Sequence, residues 1–437
     1  MDFDGKRIAV FDTIHGGRQI CRSLREIGAD ADAFDIYHDP PSADAIHSFD
    51  VVIAPVHAPA ALIARVEALN IPTLTHHQAV GEIARSNEKL QSACVFEVTG
   101  VKGKTTTASL LGNAYSDRRT ALLTSHGLEL RENGRYLAKK RLSITPANIL
   151  TALELMAEFD FDPEICIFEV SLGGTGLADV NVLTTLSPEY GIGQDTKTST
   201  FAKLQMISNA KASSCVVASA DVTSFAKPTR CVNTFGNDNA SVRYAKTAGD
   251  HAKIEFADLT RVDGAHISGE VPFVLAGSYD FASYKDTILC FAAAALSASL
   301  DPETISRTLT SFRGVMGRMT ATEISGRVLI DNSNSGLDEL SIERAINYGL
   351  MFKKTGHSAV LIVGVAGKNV CEGIAPPAIA SLAETDGLDH VILVGDQMLR
   401  VETGLDETCP DLESALRKAL AQTIVQDVII SCVKMWR

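Results

Sequence analysis

The chain has 437 residues, 46% hydrophobic and 21% charged, with a formal net charge of −13. This predicts about two to four domains with ordinary globular cores. The acidic balance argues against nucleic acid or an anionic membrane as the main partner, and no apolar run is long enough to span a bilayer.

Lys6 to Asp12 reads as a strand, Thr13 to Gly17 as a turn, and Arg18 to Gly28 as a helix with Ile20, Leu24 and Ile27 on one face. Asp30 to Tyr37 and Phe49 to Pro55 read as the next strands, the βαβ rhythm of a parallel sheet. Gly16 and Gly17 open a helix after a strand, a pattern that serves either tight-turn geometry or an anionic ligand. His15 falls in the same turn, at the sheet edge where open α/β folds take ligands. His76 and His77 follow the apolar run Ile71 to Leu74. Paired histidines suggest a metal, but neighbours on a strand face opposite ways.

The next stretch carries the strongest signal. Cys94 to Val98 is a short apolar run, Gly100-Val-Lys-Gly103 a glycine loop, and a helical pattern begins at Thr105. Strand, glycine loop and helix make a phosphate cradle, because backbone N–H groups and the helix N-terminus attract anions. Lys104 can reach the outer phosphates of a nucleotide and the Thr105 hydroxyl can bind magnesium. The strict pattern requires glycine where Val98 stands, so the loop is a variant. Lys139-Lys-Arg141 is a short basic run, either a solvated face or a hold on an anionic substrate. Ser143 to Ala147 precedes a helix over Asn148 to Phe159. Ile165 to Ser171 is a strand bearing Glu169 near its end, placed to supply the second acidic metal ligand that a phosphate-loop enzyme needs. Ala178 to Thr185 is a further strand. A helix over Thr200 to Lys211 leads into the strand Ser214 to Ala220, and Ala292 to Leu300 is an alanine-rich helix.

The ordered set is Thr99-Gly100-x-x-Gly103-Lys104-Thr105-Thr106, Thr145-Pro146, Glu169-Val-Ser171, Ala202-Lys203, Asn209-Ala-Lys211 and Gly314-Val-Met-Gly-Arg318. It resembles the Mur ligases, the ATP-dependent amide ligases of cell-wall synthesis, and their folylpolyglutamate synthetase relatives. The resemblance covers the central and C-terminal parts well and the N-terminal part in outline. It implies an α/β chain of three domains: an N-terminal Rossmann-like substrate domain (1–90), a central ATP-binding parallel sheet of the P-loop type (91–311) and a C-terminal Rossmann-like sheet (312–437). It also implies a mechanism in which a substrate carboxylate attacks the γ-phosphate of ATP and the acyl phosphate is then displaced by a nucleophile. By this likeness Thr99, Gly100, Lys102, Gly103, Lys104, Thr105 and Thr106 hold the nucleotide. Thr105 and Glu169 hold Mg2+. Lys203 matches a lysine that is carbamylated in many members and binds a second magnesium; the plain ammonium would repel that metal.

Two departures stand out. The family's Asp-His is replaced by Glu189-Tyr190, so its histidine metal ligand is missing unless Glu189 takes that place. Its His-Asn pair before the alanine-rich helix is replaced by Tyr284-Lys-Asp-Thr287.

In the last third, Arg327 to Asp331, Ala359 to Gly364, His390 to Gly395 and Asp427 to Ser431 are buried strands separated by helices. In Mur ligases an arginine and an aspartate at the positions of Arg318 and Asp331 meet the nucleotide when the third domain closes. The loop that follows is neutral, Asn332 to Ser335, where the family often carries a lysine or histidine near an incoming amine. Gly364-Val-Ala-Gly-Lys368 mimics a phosphate loop but has Asn369 where Ser or Thr is needed, so it is a decoy or a substrate-facing loop.

Asp12-Thr-Ile-His-Gly-Gly17, Glu169 to Leu177 and the missing Asp-His together resemble the coenzyme F(430) synthetase family of methanogenic archaea. That family activates a propionate of a nickel tetrapyrrole, and a ring carbon attacks the acyl phosphate. Nickel then enters only as part of the substrate. The neutral loop suits a carbon nucleophile, with Asn332, Asn334 and Thr145 near substrate. Lys139, Lys140, Arg141 and Arg318 are candidate carboxylate partners, and His15, Gly16, Gly17, His76 and His77 candidate neighbours of the macrocycle. Amide ligation with an amino acid is the alternative, as is a nucleotide-driven binding or maturation protein without a covalent product. A Rossmann dehydrogenase is disfavoured, because the three-glycine dinucleotide pattern is missing after the first strand.

Nine cysteines are scattered without a C-x-x-C pair, and no apolar signal-peptide region opens the chain. Reduced, buried thiols of a cytoplasmic protein are the expectation.

Overall fold

The computed structural model describes residues 1–225, 231–366, 374–395 and 406–435. Two compact units divide the chain: residues 1–274 with 285–310, and residues 275–284 with 311–437.

The first unit opens with β1 (Arg7–Phe11), α1 (Gly17–Glu26), β2 (Asp30–Phe34), α2 (Ala43–His47), β3 (Val51–Ala54), α3 (Ala60–Ala68), β4 (Thr73–Thr75), α4 (His76–Ala84) and α5 (Glu88–Gln91). The four strands form a parallel sheet in the order β2-β1-β3-β4. The order reverses at β1, so loops leaving β1 and β3 flank a crevice of the kind that takes ligands. Ile8 and Val10 pack on one side of the sheet and Ala9 and Phe11 on the other, the two-sided burial of a parallel strand.

The same unit continues with β5 (Cys94–Thr99), α6 (Lys104–Ala114), β6 (Thr120–Thr124), β7 (Gly127–Glu132), β8 (Arg135–Lys140), α7 (Asn148–Glu158), β9 (Ile165–Glu169) and β10 (Val180–Leu183). A small hairpin, β11 (Gly191–Ile192) and β12 (Lys197–Thr198), precedes α8 (Ser199–Asn209). Then come β13 (Cys215–Ser219), β14 (Cys231–Gly236), β15 (Val242–Ala248), β16 (His251–Thr260), β17 (His266–Val274), α9 (Phe281–Ser297) and α10 (Pro302–Ser311), of which residues 281–284 and 311 are counted with the second unit. One 11-stranded sheet results, ordered β17-β16-β15-β14-β13-β10-β5-β9-β6-β7-β8. Its middle is parallel, and antiparallel strands extend both ends. The phosphate-loop strand β5 therefore sits deep in the sheet, between β10 and β9.

The second unit holds β18 (Thr320–Ile324), β19 (Arg327–Asp331), α11 (Glu339–Leu350), β20 (Ala359–Val365), α12 (Pro376–Ala383), β21 (His390–Val394), β22 (Asp406–Cys409), α13 (Leu412–Gln422) and β23 (Val428–Lys434). They make a six-stranded sheet, β18-β19-β23-β20-β21-β22, antiparallel only at β18. All seven residues of β20 and of β23 are buried, which explains the apolar run of β20 and the mostly apolar β23, where Ser431 and Lys434 are the polar exceptions.

Several expectations change. His76 and His77 begin α4 behind the N-cap Thr75 and are not on a strand. The threonine side chain and Gln78 close a reciprocal capping box there, which a short apolar run conceals. The alanine-rich helix starts eleven residues earlier than Ala292, at Phe281. Cys215 and Cys231 are joined in a disulfide, not held as two free thiols. They occupy one register on neighbouring parallel strands, a proximity that sixteen residues of sequence separation conceal. Six other cysteines are free; Cys371, like Gly367, Lys368 and Asn369 of the loop after β20, lies outside the described residues. Among the described residues no helix is long and apolar enough to cross a membrane.

Candidate active site

The phosphate loop is built as its residue types require. Gly100 has φ 143, and a Cβ there would stand 2.0 Å from Thr184 Oγ1 and 2.9 Å from the Thr185 nitrogen. Gly103 caps α6 at φ 84, and its missing Cβ would meet Thr287 Oγ1 at 2.8 Å. The first turn of α6 carries no acidic residue, so its N–H groups and dipole remain favourable to an anion. Val101 N–H donates to Thr185 O at 2.7 Å, tying the loop to the end of β10.

Register brings the metal candidates together. Val98 pairs with Glu169 across β5 and β9. The Thr105 hydroxyl then donates to Glu169 Oε1 at 3.0 Å and lies 3.1 Å from Ser125 Oγ, while Ser125 N–H donates to Glu169 Oε2 at 2.9 Å. Glu169 is only 1% exposed. A buried carboxylate fed by a hydroxyl and an N–H is a fitting donor set for Mg2+ with nucleotide phosphate, and the glycine cradle beside it leaves room for that phosphate. Sequence reasoning missed Ser125; its position at the exit of β6, beside β9, was the available signal.

Thr99 and Thr106 are buried. The Thr99 hydroxyl accepts from Gly173 N–H at 3.3 Å, so it steadies the loop after Glu169. Glu97 on the same strand does so more strongly. Its buried carboxylate accepts from the N–H of Thr175 and Gly176 and from the Thr175 hydroxyl. Burial pushes its carboxyl pKa up against those bonds. The backbone oxygen of Lys102 accepts from Thr184 Oγ1, and Lys104 Nζ lies 3.5 Å from Val101 O.

Lys203, on α8, is 1% exposed and donates to Tyr190 Oη at 3.0 Å, with its ammonium 4.6 Å from the centre of that ring. Desolvation, reinforced by the charge of Lys104, lowers its pKa to about 7. Tyr190 thus receives the lysine. Glu189 is exposed, and hydrogen bonds from Thr200 and Thr198 hold its carboxyl below the usual range. These bonds tie it to the start of α8.

His76 and His77 are both buried and satisfied. His76 Nε2 lies 2.8 Å from Phe11 O, and His77 Nε2 lies 2.7 Å from Ser171 O with its Nδ1 3.2 Å from Gln205 Nε2. Burial lowers each to about 4. They fasten the β1 turn and the Ser171 loop to α4. Gly16 packs against the loop before α7: a Cβ on it would lie 2.5 Å from Ala147 Cβ and 3.5 Å from Thr145 Oγ1. Gly17 is required by a close approach, since its Cβ would stand 1.9 Å from Asp12 O. Of the basic run, Lys139 pairs with Glu129 at 3.1 Å, on the outer hairpin.

In the second unit Arg318 and Asp331 belong to one hydrogen-bonded corner. Arg318 Nη1 donates to Asn334 Oδ1 at 3.2 Å, and Asp331 accepts from Gly317 N–H and Ser333 N–H, each at 3.1 Å. Asn334 Nδ2 donates to Gly317 O at 2.8 Å and Asn332 Nδ2 to Ser341 O at 2.9 Å. Both asparagines are buried and act as struts of the loop.

Comparison with known proteins agrees with this geometry. Residues 98–281 match the Mur ligase middle domain, and residues 321–435 match the coenzyme F430 synthetase CfbE C-terminal domain. Solved structures with this fold include MurF from Acinetobacter baumannii (TM-score 0.58, 16% identity, covering 90% of this chain and 88% of that one). Another is a pseudomurein peptide ligase type C from Methanothermus fervidus (TM-score 0.53, 15% identity, 99% and 97%). The fold and the phosphate site define an ATP-dependent ligase of the Mur type, which depends on ATP and Mg2+. The chain is 35% identical, over the full length of both, to coenzyme F(430) synthetase of Methanosarcina acetivorans, and 23% identical to that of Methanocaldococcus jannaschii over 77% of this chain and 79% of the other. It belongs to the coenzyme F(430) synthetase family.

Proposed function

We propose that the protein closes the carbocyclic ring of a nickel tetrapyrrole. A propionate takes the γ-phosphoryl group of ATP, ADP leaves, and a ring carbon displaces phosphate from the acyl phosphate. The observation that supports this reading most directly is the full-length 35% identity to a coenzyme F(430) synthetase, which spans every site described above.

Within that reaction we assign Gly100, Lys102, Gly103, Lys104, Thr105 and Thr106 to the nucleotide and Thr105 with Glu169 to Mg2+. Magnesium there would offset phosphate charge as the γ-phosphoryl group moves. Thr99 steadies the loop. Lys203 has the property a carbamylated lysine needs: with a pKa lowered to about 7 it is substantially neutral near pH 7, and a neutral amine is the form that adds CO2. The carbamate would place an anion beside Lys104. Arg318 and Asp331 are assigned to the nucleotide on the family resemblance alone. The division into domains at about residues 90 and 311 is proposed on the same ground.

The test is ADP release by the purified chain with Mg2+ and ATP, with no addition, with pooled amino acids, or with the nickel seco-tetrapyrrole. Release stimulated only by the tetrapyrrole, with a change in its absorbance, is expected. Release that needs an amino acid would return the chain to the amide ligases, leaving Lys104 and Glu169 in their roles.

A further inference from the structure

Ring closure by a C–H carbon leaves a proton to be taken up. The residues assigned above serve phosphate and metal charge. Among the described residues, one group of His, Cys, Asp or Glu side chains outside that site brings its polar atoms into one spot. Asp12, His15 and His57 each offer an atom within 4.8 Å of the others.

Asp12 leaves β1 at φ 81, a left-handed conformation that is strained for a non-glycine residue, and its carboxylate is fully buried. Its Oδ1 accepts from the N–H of Ile14 at 2.7 Å and of His15 at 2.9 Å. Its Oδ2 lies 2.7 Å from His15 Nδ1, 3.5 Å from Tyr37 Oη and 3.8 Å from His57 Nε2. Burial would raise the Asp12 carboxyl, but the His15 bond and the two N–H groups hold it below its ordinary value. An ionised carboxylate on Nδ1 fixes the tautomer of His15, with the proton on Nδ1 and the lone pair on Nε2. The His15 side chain is 45% exposed. His57 stands edge-on to it, with ring centres 5.1 Å apart, and stacks on Tyr37. Burial lowers His57 to about 4, so it is neutral and leaves the Asp12 charge to His15.

The cluster lies between two loops that lead to the ligase site. On one side Gly16 abuts Thr145 and Ala147, and the neighbouring Ile144 O accepts from the N–H of Ser171, two residues beyond Glu169. On the other, Val56, next to His57, packs with Ile192, Ala202 and Tyr190, the partner of Lys203.

We propose that His15, oriented by Asp12, is the base for ring closure. The proposal rests on the ring-closing reading above. The ring carbon bonds to the acyl carbon, and the acyl C–O bond breaks with its electron pair leaving on phosphate. The proton of the ring carbon passes to His15 Nε2, and the imidazolium is held against Asp12 until it loses that proton to solvent. A positioned base of this kind contributes about 10²–10⁴-fold.

The experiment uses the full chain with the nickel seco-tetrapyrrole, ATP and Mg2+, with hydroxylamine present to trap acyl phosphate. His15→Gln should slow ring closure by about 100-fold or more and raise the ratio of hydroxamate to closed ring. The wild type should show an acid limb in closure rate that is flattened in His15→Gln and moved to lower pH in Asp12→Asn. An unchanged ratio in His15→Gln, with wild-type closure intact, overturns this proposal alone. So does tight Zn2+ or Ni2+ binding to the wild type without substrate, lost in His15→Gln, when chelation of that ion stops closure. No closed ring from the wild type overturns the ring-closing reading as well. The half-exposed ring makes misfolding of His15→Gln a small risk, and the wild-type pH limb tests the base even if that variant is lost.

Discussion

Glu169 and Asp12 are both buried carboxylates at the C-terminal ends of parallel strands, and they have opposite partners. Glu169 accepts from a hydroxyl and a backbone N–H, with no ammonium, guanidinium or imidazole among these donors. Its negative charge remains available for a metal. Asp12 accepts from two backbone N–H groups and an imidazole, so its charge is spent on orienting His15. Burial and strand position are alike in the two cases. On the roles proposed above, the donors distinguish the carboxylate suited to a metal from the one suited to positioning a histidine.

The largest expected effect separates the two at once. Glu169→Gln should reduce substrate-dependent ADP release by about 10³-fold, because several kcal/mol of charge stabilisation at the phosphates goes with the carboxylate. Asp12→Asn should cost about tenfold, mostly in ring closure, with the pH limb displaced. Equal losses of ADP release in the two variants would end the contrast.

Next in size is Lys203→Met, expected to lower turnover about 100-fold. Wild-type activity should fall in CO2-stripped buffer and recover with bicarbonate, a response the variant should lack. A wild type indifferent to bicarbonate would remove the carbamate. Gly100→Ala should weaken nucleotide binding and cost about 1–3 kcal/mol, since the new Cβ meets Thr184 and the backbone is at φ 143. Titration of ATP followed by melting temperature reads both effects.

The last effect is on stability and leaves turnover aside. His57, His76 and His77 are held neutral down to about pH 4, whereas an unfolded histidine protonates near pH 6.5. The unfolded chain therefore binds more protons between those values, and stability should fall as pH drops from about 6.5 towards 4. Denaturant midpoints across that range should show the decline, with a shallower slope in His77→Gln. A slope unaltered in that variant would assign the decline elsewhere.

The proposed phosphate site was legible in the sequence alone, because its chemistry is local. Gly100, Gly103, Lys104 and Thr105 are neighbours on one turn, and the glycines mark where a Cβ cannot fit. Glu169 was legible as an acid near the end of a buried strand, and the long apolar runs announced parallel sheets buried on both faces. Only the tertiary structure decided which distant groups meet. Strand register set Glu169 opposite Val98 and Cys215 beside Cys231. Helix α4 turned two adjacent histidines inward, where backbone carbonyls occupy them. His57, forty-two residues beyond His15, joined Asp12 only because β1 and β3 are adjacent in the sheet. Backbone conformation and hydrophobic period are written over a few residues. The donor that reaches a buried carboxylate depends on strand order and on loop packing between sheets, which no short stretch of sequence contains.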